Sequence, residues 1–218
     1  MNFTIKSGEF VTIFGPNGAG KTTLIRILAT ISKASAGHAS IGGFLLQKEP
    51  EKIRGQIGVI AHQTFLYGDL TAEENLLFFA KLYEIENRKQ RVNSLISEVG
   101  LGLRRFDRVR TFSRGMQQRL SIARAMLHDP AVLLLDEPYT GLDQHASDML
   151  SNWLKKLKDS RRTILMVTHD LEQGIDLAER IAVLVRGVIV LDKNKSALDL
   201  NNFRELYNTL VEEGGRRA

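Results

Sequence analysis

The chain has 218 residues, of which 43% are hydrophobic and 25% are charged, and its formal net charge is +5. This length suits one well-cored domain and is short for two independent ones, and the composition argues against a disordered or fibrous protein. Because cysteine is absent, disulfides, thiolate metal sites and a cysteine nucleophile are excluded.

The excess of basic residues has two interpretations. A net charge of +5 and an isoelectric point near 9.5 occur in proteins that bind nucleic acid or anionic membranes, and also in many ordinary enzymes. We favour the ordinary interpretation and expect no nucleic-acid partner. The longest apolar runs, such as 131–135 and 181–185, are far shorter than the roughly 18 residues of a spanning helix, and no signal peptide is visible. Any membrane-embedded part is therefore expected in another chain.

The first predicted elements are a strand at 10–14, a glycine-rich loop and a helix that begins near Thr22. The loop matches the phosphate-binding pattern GxxxxGK[ST], and its residues are Gly15, Pro16, Asn17, Gly18, Ala19, Gly20, Lys21 and Thr22. Glycines let backbone amides turn toward a phosphate, and the helix N-terminus adds partial positive charge. Lys21 is predicted to neutralise the phosphates of ATP, and the Thr22 hydroxyl to ligate Mg²⁺. The predicted nucleotide-binding residues of this loop are Asn17, Gly18, Ala19, Gly20, Lys21, Thr22 and Thr23.

The next segment is predicted to be mainly helical, from about residue 65 to 128. Thr71 and Glu74 have the spacing of a capping box, which marks a helix N-terminus. Apolar residues at positions 92, 95, 96 and 99 predict a second helix, and Gly100 is placed to end it.

After Pro130 the pattern alternates between strands and helices, which predicts a mostly parallel sheet. The predicted elements are strands at 131–135, 163–167 and 181–185, a helix at 144–160, and a turn at 186–187 that leads into a strand at 188–191. The helix at 144–160 has an apolar stripe that includes Trp153, and this stripe is predicted to lie in the core. The tail at 214–218 is predicted to be frayed.

Two adjacent carboxylates end the apolar run at 133–135. A buried Asp136 would be costly without a cation, so Asp136 is predicted to hold the Mg²⁺. Glu137 is predicted to polarise the attacking water as general base. On its own, an apolar run that ends in Asp and Glu is equally compatible with a capping pair for the next turn. The combination with the phosphate-binding loop favours the catalytic interpretation.

One further motif resembles a known family. The run Phe112, Ser113, Arg114, Gly115, Met116, Gln117, Gln118 is similar to the signature motif of ATP-binding cassette (ABC) proteins. Gln63 resembles the glutamine of their Q-loop, the run 141–143 resembles their D-loop, and His169 resembles their switch histidine. The resemblance extends from about residue 10 to 191.

The resemblance implies roles that the isolated residues do not establish. Gln63 and His169 would act in catalysis beside Glu137, and Gln63 would also contact the Mg²⁺. Two subunits would face head to tail, so that Ser113 and Gly115 bind the γ-phosphate of the ATP held by the partner. Taken individually, Gln63 could be a solvated loop amide, His169 a strand-end histidine, and Ser113 a plain N-cap residue.

The chain departs from the family pattern in two places. Arg114 replaces the first glycine of the signature LSGGQ, and Met116 replaces its glutamine, but Ser113 and Gly115 are retained. Only 14 residues precede Gly15, and the additional strand whose aromatic residue stacks on adenine is not found there. ATP is therefore expected to be held mainly by its phosphates.

The predicted fold is α/β: a P-loop NTPase core with a mostly parallel sheet, a truncated antiparallel flank and an inserted helical lobe at about 65–128, within a single nucleotide-binding domain at 1–218. The predicted function is ATP hydrolysis in a homodimer or heterodimer that powers export through an integral membrane permease. The chain is expected at the cytoplasmic face of the cell membrane as a peripheral subunit.

Several more specific functions are open at this point. The run 109–119 is most like the haem-exporter ATPases of cytochrome c maturation, although drug and polysaccharide exporters share much of it. Aromatic residues at 65–83 favour a transporter, unless they form the core of the lobe. The alternatives are a non-transport ABC ATPase, such as one of iron–sulfur cluster assembly, and a regulatory subunit with little turnover, against which Glu137 and His169 argue.

Overall fold

The computed structural model describes residues 1–61, 63–160 and 162–216. Its strands are β1 (Phe10–Phe14), β2 (Ser40–Ile41), β3 (Phe44–Leu45), β4 (Ile57–Ala61), β5 (Val132–Asp136), β6 (Thr163–Thr168), β7 (Arg180–Val185) and β8 (Val188–Asn194). Six of them form one sheet in the order β4-β5-β6-β1-β7-β8, in which only β8 runs antiparallel to its neighbour. β2 and β3 form a separate antiparallel hairpin. The predicted α/β class, with a mostly parallel sheet and a small antiparallel flank, is confirmed.

The helices cover both faces of this sheet. They are α1 (Lys21–Leu28), α2 (Pro50–Arg54), α3 (Ala72–Leu82), α4 (Arg88–Glu98), α5 (Arg114–Ala125), α6 (Gln144–Asp159), α7 (Leu171–Leu177) and α8 (Phe203–Arg216), with short 3-10 turns at 102–104, 109–111 and 195–197. Within the described residues, no helix is both long enough and apolar enough to span a bilayer.

The side chains of each strand point alternately to the two faces of the sheet, and the hydrophobic core has a layer on each face. Leu133 and Leu135 of β5 pack in the layer that contains Leu120 of α5, whereas Leu134 packs in the layer that contains Ile25 of α1. Successive side chains of a strand point to opposite faces, so a parallel strand covered on both faces needs an unbroken apolar run. This requirement explains the run that the sequence shows at 133–135.

The predicted helix boundaries are largely confirmed. Thr71 and Glu74 form the reciprocal hydrogen bonds of a capping box at the start of α3. Gly100 has φ of 67° just after α4, a conformation in which glycine carries no steric penalty. Helices α3, α4 and α5 all fall within the predicted helical segment at 65–128.

Two predictions at the C-terminal end need correction. Trp153 and Met149 of the α6 stripe are only half-buried, whereas Leu150 and Leu154 are buried. The tail that was predicted to be frayed is helical as far as residue 216, because α8 packs on the sheet and Gly214 lies against Val185. Residues 217 and 218 lie outside the described residues.

Candidate nucleotide-binding site

Four loops meet at one edge of the sheet. β4, β5, β6 and β1 are adjacent and parallel, so the loops that follow them leave from the same edge. In open α/β sheets, ligands bind at this carboxyl edge. An open cleft of about 460 Å³ lies there. Its described lining residues are Asn17, Thr22, Arg26, Ile31, Ala61, Gln63, Phe65, Asp136, Glu137, Thr140 and His169.

The predicted phosphate-binding loop has a tightly wound backbone. Gly18 and Gly20 have φ of 79° and 103°, and a Cβ at Gly15 would lie 2.4 Å from the carbonyl oxygen of Leu184. Glycine is therefore required at these positions. The loop leads directly into the N-terminus of α1, where free backbone amides and the helix dipole favour an anion.

Lys21 is held over this loop. Its side chain is 6% exposed, and its Nζ donates hydrogen bonds to the carbonyl oxygens of Gly15, at 2.7 Å, and Pro16, at 3.2 Å. Nζ also lies 3.4 Å from Oε1 of Glu137. The geometry thus keeps one buried cation at the mouth of the loop, between the backbone and a carboxylate.

Oxygen atoms suited to Mg²⁺ converge beside this cation. The Thr22 hydroxyl donates a hydrogen bond to Oδ1 of Asp136 at 3.1 Å, and the amide of Gln63 lines the same cleft. Among the described residues there is no cluster of three or more His, Cys, Asp or Glu that could hold a metal by itself. This donor set fits Mg²⁺, which commonly takes one or two carboxylates and completes its shell with phosphates and water.

Glu137 lies where β5 ends. Its Oε2 accepts a hydrogen bond from the Thr168 hydroxyl at 2.9 Å and lies 2.9 Å from Nδ1 of His169. Its backbone has φ of 49°, in the left-handed region that non-glycine residues seldom adopt. Such a conformation costs about 1–3 kcal/mol, so the surrounding contacts must hold it in place.

The charge state of Glu137 follows from its neighbours. Burial alone would raise its pKa, but hydrogen bonds from His169 and Thr168 and the charge of Lys21 outweigh burial, so the pKa lies below that of an ordinary glutamate. The side chain is therefore an ionised acceptor at neutral pH, as a general base must be before it takes a proton.

Ser113 and Gly115 lie apart from these residues. Neither occurs among the described residues that line the cleft. Ser113 is exposed and is the N-cap of α5, where its side chain accepts a hydrogen bond from the Met116 amide at 3.3 Å. Gly115 lies against Ala146 of α6. The structure thus brings together the residues predicted around the phosphate-binding loop and leaves the signature residues on another surface of the same chain.

Two residues in or beside the cleft were not predicted from the sequence. Thr168, which donates to Glu137, follows the predicted strand at 163–167, and a hydroxyl directly before a predicted switch histidine is a usable signal. Arg26 lies one helical turn after Thr22, a spacing that places both on one face of α1. Near the N-terminus, Phe3 packs half-buried against the Arg180 guanidinium and Phe10 is fully buried, so neither ring presents a free face on which adenine could stack.

Comparisons with known proteins decide the family. Residues 1–140 match the family model described as ABC transporter. The chain belongs to the ABC transporter family. The ABC transporter ATP-binding protein NatA of Bacillus subtilis (strain 168) is 37% identical over 193 residues, which cover 87% of this chain and 78% of NatA. The linearmycin resistance ATP-binding protein LnrL of the same organism is 33% identical over 91% of this chain and 64% of its own length. This chain therefore spans just under two thirds of LnrL.

Solved structures show the same fold. A dimeric, post-hydrolysis ATP-binding cassette, MJ0796 bound to ADP and Pi, superposes with a TM-score of 0.82 at 31% identity and covers 90% of each chain. The ABC protein cbiO1 from Clostridium perfringens, part of the cbiONQ complex, has a TM-score of 0.81 at 25% identity over 99% of this chain and 89% of its own. The chain is thus the ATP-binding, ATP-hydrolysing subunit of an ABC transporter. These relatives do not distinguish a haem exporter from other members of the family.

Proposed function

We propose that ATP hydrolysis takes place in the cleft at the carboxyl edge of the sheet, with Glu137 as general base. The observation that carries this proposal is the position of the Glu137 carboxylate, 3.4 Å from Lys21 and 2.9 Å from His169, at the wall of the cleft. One ionised acceptor thus lies beside the cation that would hold the phosphates. Proton acceptors positioned in this way contribute roughly 100- to 10,000-fold to turnover.

The other cleft residues have distinct proposed tasks. Backbone amides of residues 17–23 and Lys21 bind the phosphates, while Thr22, Asp136 and Gln63 hold the Mg²⁺. When bound, the ion neutralises charge on the β- and γ-phosphates. Glu137 accepts the proton of the attacking water. The nearby His169 orients the Glu137 carboxylate and contacts the γ-phosphate.

Ser113 and Gly115 are proposed to complete the site of a second cassette. Their position outside the cleft of their own chain supports this role, because the first turn of α5 offers a hydroxyl and free amides to an anion. The dimeric state of MJ0796 supports it further. The working form is a head-to-tail homodimer or heterodimer with two composite ATP sites.

A separate integral membrane subunit is the proposed partner. Within the helical segment at 65–128, which we propose is an inserted lobe of a single nucleotide-binding domain at 1–218, Tyr67 and Phe78 are 50% and 40% exposed. These rings pack edge to face on each other and present an aromatic surface rather than a closed core. The proposed location is the cytoplasmic face of the cell membrane, with this surface against the permease. The cbiONQ complex is a parallel among the solved structures.

Export is the favoured direction of transport. Three relatives are named for drug resistance or export: LnrL, the daunorubicin/doxorubicin resistance protein DrrA and the Nod factor export protein I, which are 33–35% identical. Relatives at 35–36% identity are named for transport of choline and related compounds. Haem remains a candidate substrate because of the run 109–119.

Co-purification tests the transport proposal. A tagged chain extracted with mild detergent should carry an integral membrane protein, and Tyr67→Ser with Phe78→Ser should release it without lowering the ATPase of the isolated chain. Recovery of the tagged chain without any membrane protein would contradict the proposed partner. ATPase stimulation by haem, in the complex only, would support haem as substrate.

A further inference from the structure

A buried arginine at the end of α5 has no role in the site described above. Arg124 is 9% exposed, and no carboxylate pairs with it in the part of the chain that the structure describes. Its Nη2 donates a hydrogen bond to the carbonyl oxygen of Val59, in β4, at 2.8 Å. Burying a charged guanidinium costs free energy when few hydrogen bonds replace its lost hydration, and a long apolar side chain would fill the same space without this cost.

Two aromatic rings lie close to this guanidinium. Its central carbon lies 5.5 Å from the ring centroid of Phe65 and 5.3 Å from that of Phe79. Both distances are within the range of cation–π attraction, which is stronger for desolvated groups. Phe65 lies two residues after Gln63 and lines the nucleotide cleft, whereas Phe79 belongs to α3.

The backbone of Phe65 requires such support. Its φ is 55°, in the left-handed region, which an aromatic residue adopts only when its surroundings hold it there. The contacts of Arg124 therefore join three elements: the strand before the loop, the strained loop itself and α3. Arg124 reaches them from α5, the helix whose first turn carries Ser113.

We propose that Arg124 is a positioning residue for ATP hydrolysis, which holds the loop carrying Gln63 and Phe65 in its productive conformation. This inference rests on the proposed role of Gln63 in hydrolysis. Arg124 itself does not line the cleft. It acts through Phe65 on the cleft wall and should influence turnover more than ATP affinity.

A double-mutant cycle tests this coupling. Arg124→Lys keeps the charge and loses the planar guanidinium that faces both rings. Phe65→Leu keeps apolar bulk and removes the ring. Each change should lower kcat by roughly 3- to 30-fold, the range of one desolvated cation–π contact, and should leave KM for ATP within about twofold. Together they should lower kcat about as much as one alone, because either change removes the same contact.

Phe106 provides the matched control. Its ring also faces an arginine, Arg105, at 4.8 Å, but it is exposed and is not among the described residues that line the cleft. Phe106→Leu should leave the kcat of the isolated chain within about twofold, and its effect should multiply with that of Arg124→Lys. Thermal unfolding of each variant separates lost turnover from lost fold.

The proposal is overturned if Arg124→Lys has the wild-type kcat. It is also overturned if the losses in kcat of the two single variants multiply in the Arg124→Lys, Phe65→Leu double variant. If Arg124→Lys does not fold, the single variants provide the test: a lower kcat for Phe65→Leu than for Phe106→Leu supports the proposal, and equal values overturn it. The variant Gln63→Ala distinguishes failure of this proposal from failure of the proposed role of Gln63. If Gln63→Ala has the wild-type kcat, Gln63 has no role in hydrolysis, and the double-mutant cycle still measures the coupling of Arg124 to Phe65.

Discussion

The Thr168 hydroxyl donates a hydrogen bond to the Glu137 carboxylate at 2.9 Å, across two neighbouring strands of the sheet. The same hydroxyl accepts a hydrogen bond from the Asp170 amide at 3.0 Å, which fixes its rotamer. Thr168 thus ties the proposed general base to the start of α7. This contact holds the strained backbone of Glu137 in place.

Replacement of Thr168 by valine removes that hydroxyl at nearly constant shape. A hydrogen bond to a charged group contributes about 1.5–3 kcal/mol, so kcat should fall by roughly 10- to 100-fold while ATP binding changes little. Steady-state ATPase assays and ATP titration measure the two effects. Thr163→Val, at the opposite end of β6, is the control and should keep kcat. Equal kcat values for Thr168→Val and wild type would show that the Thr168 hydroxyl does not assist hydrolysis.

The contact between Thr22 and Asp136 predicts dependence on Mg²⁺. Asp136→Asn keeps the size of the side chain and removes the charge that would attract the ion, so the Mg²⁺ concentration at half-maximal ATPase should rise by about 10-fold or more. Asp148→Asn, an exposed position on α6, is the matched control. An unchanged Mg²⁺ requirement in Asp136→Asn would show that this carboxylate does not hold the ion.

The position of Ser113 outside the cleft predicts complementation between chains. Mixing Lys21→Ala chains with Ser113→Arg chains should restore one intact composite site in each heterodimer and part of the ATPase activity. The control is a heterodimer of wild type with the Lys21→Ala, Ser113→Arg double variant, which carries the same changes but no intact site. Two affinity tags isolate the heterodimers. If the two heterodimers are equally inactive, the signature does not act across the dimer.

The stacked pair of His128 and Tyr83 predicts a loss of stability in acid. The rings lie 3.9 Å apart, and His128 Nε2 donates a hydrogen bond to the Ile57 carbonyl oxygen at 2.9 Å. Burial, the first cause, lowers the pKa of His128 below its ordinary value of 6.5; Arg124 and Arg91 lower it further, and the Ile57 hydrogen bond and Asp129 oppose the change. The unfolded chain therefore binds the proton more readily than the folded chain.

The free energy of unfolding should thus be greatest above pH 6.5 and decrease as the pH falls through the folded-state pKa. Denaturant titrations between about pH 7 and pH 5 measure this slope. The slope should be smaller in His128→Gln and unchanged in His38→Gln, an exposed control. Identical slopes in wild type and His128→Gln would contradict the assignment.

The sequence predicted those elements whose structure depends on residues that lie close together in the chain. The phosphate-binding loop needs glycines between a strand and a helix, and the capping box at Thr71 is complete within four residues, so both could be recognised without tertiary information. The apolar stripe of α6 indicated which side faces inward. It did not indicate that Met149 and Trp153 would line a crevice beside the close approach of Gly115 to Ala146.

The remaining features depend on contacts that are distant in sequence. The bond from Thr168 to Glu137 spans 31 residues, and the bond from Arg124 to Val59 spans 65. Neither has a recognisable local spacing. The left-handed backbone of Glu137 and of Phe65 is likewise imposed by neighbouring elements, because neither residue type favours that conformation. The roles of Ser113 and Gly115 depend on a second chain.

The substitution Glu137→Gln tests the central claim most directly. It keeps the shape of the side chain and removes the carboxylate that would accept the proton. The variant should bind ATP as the wild type does, accumulate as an ATP-bound dimer and hydrolyse ATP roughly 100-fold or more slowly, whereas Glu205→Gln on α8 should be unaffected. Hydrolysis by Glu137→Gln at the wild-type rate would show that Glu137 is not the general base.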